Sequence, residues 1–209
     1  MKKLLAFTAL MTIGLSAHAA HSGRVGDFHN GFHLGGSVGY TYMQAKQSVK
    51  DRAAESFTFK GWAPIVTIDG KYSMNCNNTY QAFDARLGWI FGNDKEGSSR
   101  FKEGFTAGAG YRLGTFFSDK TVVFARLGLN ANQQKFTYNF NNSRRTDTYM
   151  DYTFEPGAGA EWIVSEGVGV ELLYGYGMSF ATRGYNDREH KFSKSPAAHH
   201  IVVGFSMHI

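Results

Sequence analysis

The sequence predicts an all-β fold, an eight-stranded antiparallel up-and-down transmembrane β-barrel, and three observations support this prediction. Apolar and polar residues alternate with a period of two in segments of about ten residues, and turn residues separate these segments. The chain has 25 glycines, while charged residues make up only 19% of it. Beyond the N-terminus, no apolar run reaches the roughly 17 to 25 residues that a membrane-spanning helix needs.

Each predicted strand has one apolar and one polar face. In the first strand, Phe32 and Leu34 lie on the face opposite His33. The second strand is the weakest, because Pro64 cannot donate a ladder hydrogen bond, and Phe124 is an apolar exception on the polar face of the fifth. The strand ranges are 31–42, 61–74, 82–91, 105–114, 123–130, 151–162, 168–179 and 197–209. Short turns follow the second, fourth and sixth strands, and long polar connections follow the others.

The polar face indicates which side of the barrel meets lipid. It carries charges of both signs at mid-strand, such as Asp69, Lys71 and Arg112, among many glycines. A narrow lumen has room for a few long side chains only where their neighbours are small. The outside of a soluble, lipocalin-like barrel would favour more long charged residues than this. We therefore predict that the apolar face meets lipid and that barrel closure pairs every backbone group in the membrane.

The first 19 residues have the pattern of a cleaved signal peptide. Lys2 and Lys3 precede an apolar run over 4–15, and Ala17, His18 and Ala19 form a small-x-small cleavage pattern. We expect a signal peptide at 1–19 and one barrel domain at 20–209. Without the two lysines, the mature chain has 20 basic and 17 acidic residues, and this net charge of +3 is too small to indicate a nucleic-acid partner.

Four segments resemble the small outer-membrane β-barrel proteins of Gram-negative bacteria, of the opacity-porin and OmpA-like transmembrane type. They are 108–113 (GAGYRL), 123–128 (VFARLG), 155–162 (EPGAGAEW) and 201–206 (IVVGFS). The resemblance implies a location in the outer membrane, contact with its lipids and with lipopolysaccharide, and assembly by periplasmic chaperones and the barrel-assembly machinery. This family usually ends in Phe, whereas the present sequence ends in Ile209.

The charged residues of the polar face form the first candidate site. We expect a structural charge network in the lumen, in which arginines of the third to fifth strands face glutamates of the sixth and seventh, with Arg112 and Glu161 among its key members. Its residues are Asp84, Arg86, Arg112, Arg126, Glu155, Glu161 and Glu171. An eight-stranded interior is just filled by side chains, and a buried charge needs a partner. A plug is therefore favoured over the alternative, a narrow ion-selective channel.

A catalytic site and a metal site are the next alternatives. Ser206, His208 and His200 share one face of the last strand, with Glu171 nearby, as a lipid A-modifying enzyme would require. The first two lie at the periplasmic end, away from a substrate in the outer leaflet, so we expect no catalytic residue. Five histidines cluster near the chain ends, and we interpret them as interfacial polar residues: His21, His29, His33, His199 and His200. We expect neither a metal nor a cofactor.

The long connections carry the positive charge of the protein. Ranges 44–58, 93–103, 138–148 and 182–196 contain 12 basic and 8 acidic residues, an excess of +4. We expect a surface patch at Arg144, Arg145, Lys191 and Lys194, which would neutralise lipopolysaccharide phosphates or, alternatively, bind an acidic host or matrix polymer. The predicted protein is therefore a monomeric outer-membrane protein with a structural or adhesive role.

Overall fold

The described part of the chain forms nine β-strands. The computed structural model describes residues 29–49, 52–76, 79–96, 99–140, 143–184 and 190–209, so the predicted signal peptide lies outside the described residues. The strands are β1 (Gly31–Val49), β2 (Arg52–Cys76), β3 (Thr79–Ile90), β4 (Asn93–Glu96), β5 (Ser99–Ser118), β6 (Thr121–Phe140), β7 (Ser143–Ser165), β8 (Val168–Gly184) and β9 (His190–His208). Both β3 and β4 pair with β5, one after the other along its length. They therefore count as two parts of one barrel strand, and the barrel has eight strands.

The strands close into a ring. Every pairing is antiparallel, and the order β3-β2-β1-β9-β8-β7-β6-β5 is joined at its ends by the β3–β5 pairing. Val38 in β1 shows the closure at the first strand, since its partners are Val66 in β2 and Val203 in β9. Across the described ranges, we find no helical segment with the length and apolarity needed to span a bilayer. The predicted eight-stranded up-and-down barrel is confirmed.

The strands extend farther than the sequence pattern predicts. Ranges such as 44–58 and 138–148 were expected to be loops, but β1 and β2 continue to Val49 and Arg52, and β6 and β7 continue to Phe140 and Ser143. Ladder hydrogen bonds join backbone groups, so a hairpin can continue without an apolar face. Above the membrane, the outward positions face water and no longer need to be apolar. The alternation of apolar and polar residues therefore ends there, although the strands of the hairpins continue.

The outer surface of the barrel is apolar, as predicted. Phe32, Ile68 and Leu127 are 65%, 62% and 53% exposed, which places large hydrophobic side chains where lipid would cover them. Aromatic residues lie toward both ends of this surface: the rings of Tyr42 and Trp62 pack with centroids 5.3 Å apart near the long hairpins, and those of Phe32 and Tyr72 pack with centroids 4.7 Å apart near the short turns. Such aromatic girdles mark the membrane interface of outer-membrane barrels.

The interior contains apolar layers as well as polar ones. Phe124, the exception in the sequence pattern, lies on the inner face, where its ring is 6.1 Å from that of Tyr80. With other buried residues it forms an inner cluster of Ala63, Ile65, Tyr80, Ala82, Ile90, Val122, Phe124, Leu173 and Val202. The expectation of a lumen lined by polar residues and glycine was therefore incomplete, because a closed interior can also be filled by apolar side chains.

Candidate functional site

Arg126 and Asp84 form the centre of the lumen charge network. Arg126 is 1% exposed, and its Nε and Nη2 donate to Oδ2 and Oδ1 of Asp84 at 3.0 and 2.8 Å. Such a two-pronged contact between guanidinium and carboxylate is among the strongest that proteins make. The two residues come from β6 and β3, which are not neighbours, so the contact ties the ring together across β5.

Arg112 on β5 extends the network to β8. Its Nε donates to Oδ2 of Asp84 at 2.7 Å, and its Nη1 donates to Oε2 of Glu171. The guanidinium carbon also lies 4.8 Å from the ring centroid of Phe124, at cation–π distance. Arg112 therefore links the polar centre of the lumen to the inner apolar cluster.

Glu155 on β7 collects most of the remaining polar contacts. Its Oε1 accepts from Nη1 of Arg126 at 2.8 Å, and its Oε2 accepts from Nδ2 of Asn130 at 2.7 Å. Nε2 of His200 lies 3.3 Å from Oε2, and Nη1 of Arg86 lies 3.7 Å from Oε1. Arg86 has long ion-pair distances only, since its Nε is 3.9 Å from Asp69 Oδ1.

Glu161 pairs with a lysine that the expected network did not include. Its two carboxylate oxygens each accept from Nζ of Lys71 at 2.6 Å, and Oε1 also accepts from Oγ of Ser206 at 2.8 Å. Arg112, the other key member that we named for the network, contacts Asp84 and Glu171 and not Glu161. The alternation placed both residues on the inner face, but their relative heights depend on the stagger of the strands, which the alternation does not contain.

Glycines make the room that these side chains occupy. An added Cβ at Gly110 would lie 2.6 Å from Nη2 of Arg126, and one at Gly128 would lie 2.3 Å from its Nη1. Both glycines are needed beside the guanidinium, because no larger residue fits there unless Arg126 moves. The high glycine content of the polar face thus has a direct steric cause at these two positions.

A second apolar cluster lies in the extracellular end of the barrel. It consists of Met43, Phe101, Phe136, Tyr138 and Tyr149, all buried. The rings of Phe136 and Tyr138 are nearly parallel, with centroids 5.3 Å apart. The charge network therefore has the inner apolar cluster around it and this second cluster beyond it on the extracellular side.

The histidines do not lie where the sequence suggested. His29, His33 and His200 are buried inside the barrel, so interpreting them as interfacial residues is wrong, whereas His199 lies on the outer surface with its Nδ1 2.9 Å from Tyr174 Oη. His21 lies outside the described residues. The alternation places His33 and His200 on the polar face, and their burial agrees with that direction rather than with an interfacial position. Among the residues that the structure describes, no three His, Cys, Asp or Glu side chains come together to hold a metal.

The candidate catalytic residues contact other groups. Ser206 donates to Glu161, and Glu171 accepts from Arg112. His208 points its Nε2 at the backbone oxygen of Asn30, 2.6 Å away. These contacts place the serine hydroxyl against a carboxylate that is already paired with a lysine, rather than against a histidine that could take its proton.

The outer surface above the apolar belt carries a cluster of cations, which we call the basic face. Its members are Lys95, Arg100, Lys102, Lys135 and Arg144. Lys102 stands directly opposite Lys135 in the β5–β6 ladder, and Arg100 stands opposite Lys95 in the β4–β5 ladder. Their strand neighbours Phe101 and Phe136 are buried, so by alternation the cations point outward.

The basic face overlaps only partly with the expected patch. Arg144 and Arg145 are exposed near the β6–β7 turn. Lys191 and Lys194 belong to β9, but their side chains lie outside the described residues. The β4–β5–β6 cations were missed as a group because their proximity depends on cross-strand register.

A closed barrel with an apolar outer belt and a charged, side-chain-filled lumen defines an integral β-barrel protein of the bacterial outer membrane. The chain belongs to the family of outer membrane protein beta-barrel domains, whose family model matches residues 5–208. The predicted family and location in the outer membrane are confirmed.

Solved structures with a similar fold include three bacterial proteins. The outer membrane protease OmpT from Escherichia coli has a TM-score of 0.50 at 8% identity, covering 87% of this chain and 97% of that one. The attachment invasion locus protein Ail of Yersinia pestis has a TM-score of 0.46 at 10% identity, covering 85% and 99%. Neisserial surface protein A has a TM-score of 0.44 at 16% identity, covering 86% and 98%. No curated protein sequence matches the chain significantly.

Proposed function

We propose that this outer-membrane barrel works through its outer surface, where the basic face binds the phosphate groups of lipopolysaccharide. The observation that supports this most is the placement of like charges directly opposite each other, Lys102 with Lys135 and Arg100 with Lys95. Like charges at opposed positions destabilise a sheet. An anionic partner would turn this unfavourable arrangement into a favourable one.

The surroundings of these cations favour an external anion. Within the described part of the chain, Lys95, Lys102 and Lys135 form no ion pair, and the Nε of Arg100 donates to an amide oxygen, Oδ1 of Asn93, at 2.5 Å. Phe105, the next outward residue below Lys102, belongs to the apolar belt. Since a strand rises about 3.4 Å per residue, the lysine lies roughly one lipid headgroup above the hydrocarbon.

We assign the interior a structural role in the same proposal. Separating buried charges that all have partners costs free energy. The two apolar clusters fill parts of the lumen with side chains that cannot solvate an ion. The contacts of Ser206 and His208 favour a non-enzyme. Assembly by periplasmic chaperones and the barrel-assembly machinery, and a monomeric state, remain expectations for this protein.

The test replaces Lys102 and Lys135 by Glu. We expect Lys102→Glu/Lys135→Glu to weaken binding of fluorescent lipopolysaccharide to the refolded protein in phosphatidylcholine nanodiscs by at least about tenfold, since two charge contacts are reversed. The matched control is Lys120→Glu, because Lys120 is exposed in the turn between β5 and β6, at the other end of the barrel. Raising salt from 0.1 to 1 M, which shortens the Debye length from about 10 to about 3 Å, should weaken wild-type binding.

One further variant and one further ligand widen the test. Reversing Arg144, Arg145, Lys191 and Lys194 to Glu examines the patch at the hairpin tips. Equal lipopolysaccharide affinity of the wild type and both reversed proteins would refute the proposal. Unchanged lipopolysaccharide binding together with a loss of binding to heparin, an acidic polysaccharide, would instead favour an adhesive role toward host or matrix polymers.

A further inference from the structure

The barrel wall has a gap at its extracellular rim, between β2 and β4. The β2–β3 ladder ends at the pair Ile65 and Ile90, and β4 is paired with β5. Pro64 explains this end, since its carbonyl accepts from the N–H of Phe91 at 2.9 Å but it has no N–H to return the bond. Above this point, the backbone N–H of Lys60 donates to Oδ2 of Asp94 at 3.2 Å.

A cavity of about 150 Å³ fills this gap, and we call it the rim cavity. Buried Met43 and Phe101 line its inner side, while Lys60, Gly92, Asp94 and Glu103 line its sides. Protein cavities of this volume hold ligands of roughly six non-hydrogen atoms, such as benzene. The rim cavity is therefore large enough for a small headgroup.

Glu103 brings an unpaired carboxyl to the rim cavity. A bulge in β5 between Glu103 and Thr106 shifts the register there, and the carboxyl lies against Gly92, where an added Cβ would be 2.2 Å from Oε2. Oε1 is buried and has no hydrogen-bond partner. Burial, together with the nearby carboxylate of Asp151 on β7, raises the pKa of Glu103 to about 8.

Asp94 differs from Glu103 in that both of its oxygens are used. Oδ1 accepts from the backbone N–H of Lys95 at 2.8 Å, and Oδ2 accepts from that of Lys60. Asp94 therefore connects β2 to β4, and Glu103 is the carboxyl of the rim cavity that is available to bind a ligand. Burial disfavours the ionised form of this carboxyl, and a cation bound beside it would favour that form.

We propose that the rim cavity binds an alkylammonium group, with Glu103 as its counter-ion. An ammonium supplies the donors that Glu103 lacks, and the ring of Phe101 and the thioether of Met43 suit the alkyl part and the cation. A metal ion would need more ligands, and within the described ranges no metal-binding group of His, Cys, Asp or Glu exists. The site is separate from the basic face, so this proposal stands whether or not that face binds lipopolysaccharide.

The ammonium could come from a lipid headgroup or from a small free amine. Trp62, which lines the rim cavity, is also exposed on the lipid-facing side, so the opening is at the level of the outer-leaflet headgroups. Tryptophan fluorescence of the refolded protein in an uncharged detergent reports binding. The probes are ethanolamine and dihexanoyl phosphatidylethanolamine, and dihexanoyl phosphatidylglycerol is the lipid without an amine.

Glu103→Gln keeps the shape of the side chain and removes its charge. We expect it to weaken binding of phosphatidylethanolamine by about tenfold or more, because a charge-assisted contact is lost. Gly92→Val should block the site by filling it, and Glu166→Gln, exposed in the periplasmic turn, is the control that binds as the wild type does. A heat-modifiable gel shift verifies that each variant is folded, and if Gly92→Val does not fold, Glu103→Gln alone decides.

The outcomes distinguish a lipid headgroup from a small free amine as the ligand, and they show which results would contradict the proposal. Binding of both amines, each lost in Glu103→Gln, supports a general alkylammonium site, whereas binding of the lipid alone, lost in the same variant, supports a headgroup site. Wild-type affinity in Glu103→Gln, equal binding of phosphatidylglycerol, or binding of Ca²⁺ in place of amines would overturn the proposal.

Discussion

The buried pair of Lys71 and Glu161 offers a direct test of how the lumen charges act. Nζ of Lys71 lies 2.6 Å from both carboxylate oxygens of Glu161, and the two side chains are 5% and 0% exposed. Removing one member of such a pair leaves an uncompensated buried charge, which costs about 3–5 kcal/mol, whereas replacing both by apolar residues is often neutral. We expect Lys71→Met or Glu161→Leu alone to lower the free energy of unfolding by that amount.

The double variant should recover most of the loss. Lys71→Met/Glu161→Leu should unfold within about 1–2 kcal/mol of the wild type, with Ser206 left as the one polar group that lost its acceptor. Urea titration of the refolded barrel in lipid vesicles, followed by tryptophan fluorescence and by the gel shift, measures the four unfolding free energies of this double-mutant cycle. Lys120→Met is the exposed control, expected within about 0.5 kcal/mol. Small, additive losses from the single changes would refute the reasoning, because they would mean that water already solvates both charges.

Three further predictions follow from the same structure. The mature protein should refold in detergent micelles to a β-rich form whose gel mobility changes on boiling, and a helical circular-dichroism spectrum would contradict the fold. Ser206→Ala and His208→Ala should each leave the acyl-chain number of lipid A in the producing cells unchanged, as mass spectrometry would report; a change abolished by either variant would show an enzyme. Because burial raises the pKa of Glu103 from 4.5 to about 8, the folded protein binds more protons than the unfolded chain between these values, so stability should fall as pH rises through this range. Glu103→Gln should flatten this fall in urea titrations, and an equally steep fall in the variant would place its cause elsewhere.

The alternation in the sequence predicted the direction of side chains better than their partners. It placed Phe32 outside and Arg126 inside, since a strand in a closed barrel offers only these two directions. It did not pair Lys71 with Glu161, because these residues are 90 positions apart in sequence and meet only through barrel stagger. Contacts across the lumen depend on the height of each strand, which no local pattern contains.

The strand ends and the rim were predictable to a smaller extent. The alternation stops at the membrane surface, so the continuation of β1 to Val49 had no local signal. Pro64 did indicate a weak point in the second strand, and the structure shows that the β2–β3 ladder ends beside it. The bulge that directs Glu103 inward also had no signal, since an extra residue in one strand is visible only against its partner.

The conductance of the refolded protein in a planar lipid bilayer tests the central claim most directly, namely that the lumen is filled and that the protein acts through its surface. We predict no steady channel steps at 1 M KCl from the wild type. The variant Arg126→Ala/Glu155→Ala, which removes the contact at 2.8 Å in the middle of the network, is predicted to open at least transient steps. Steady ohmic steps from the wild type that grow with salt concentration would contradict the account and identify the protein as a narrow channel.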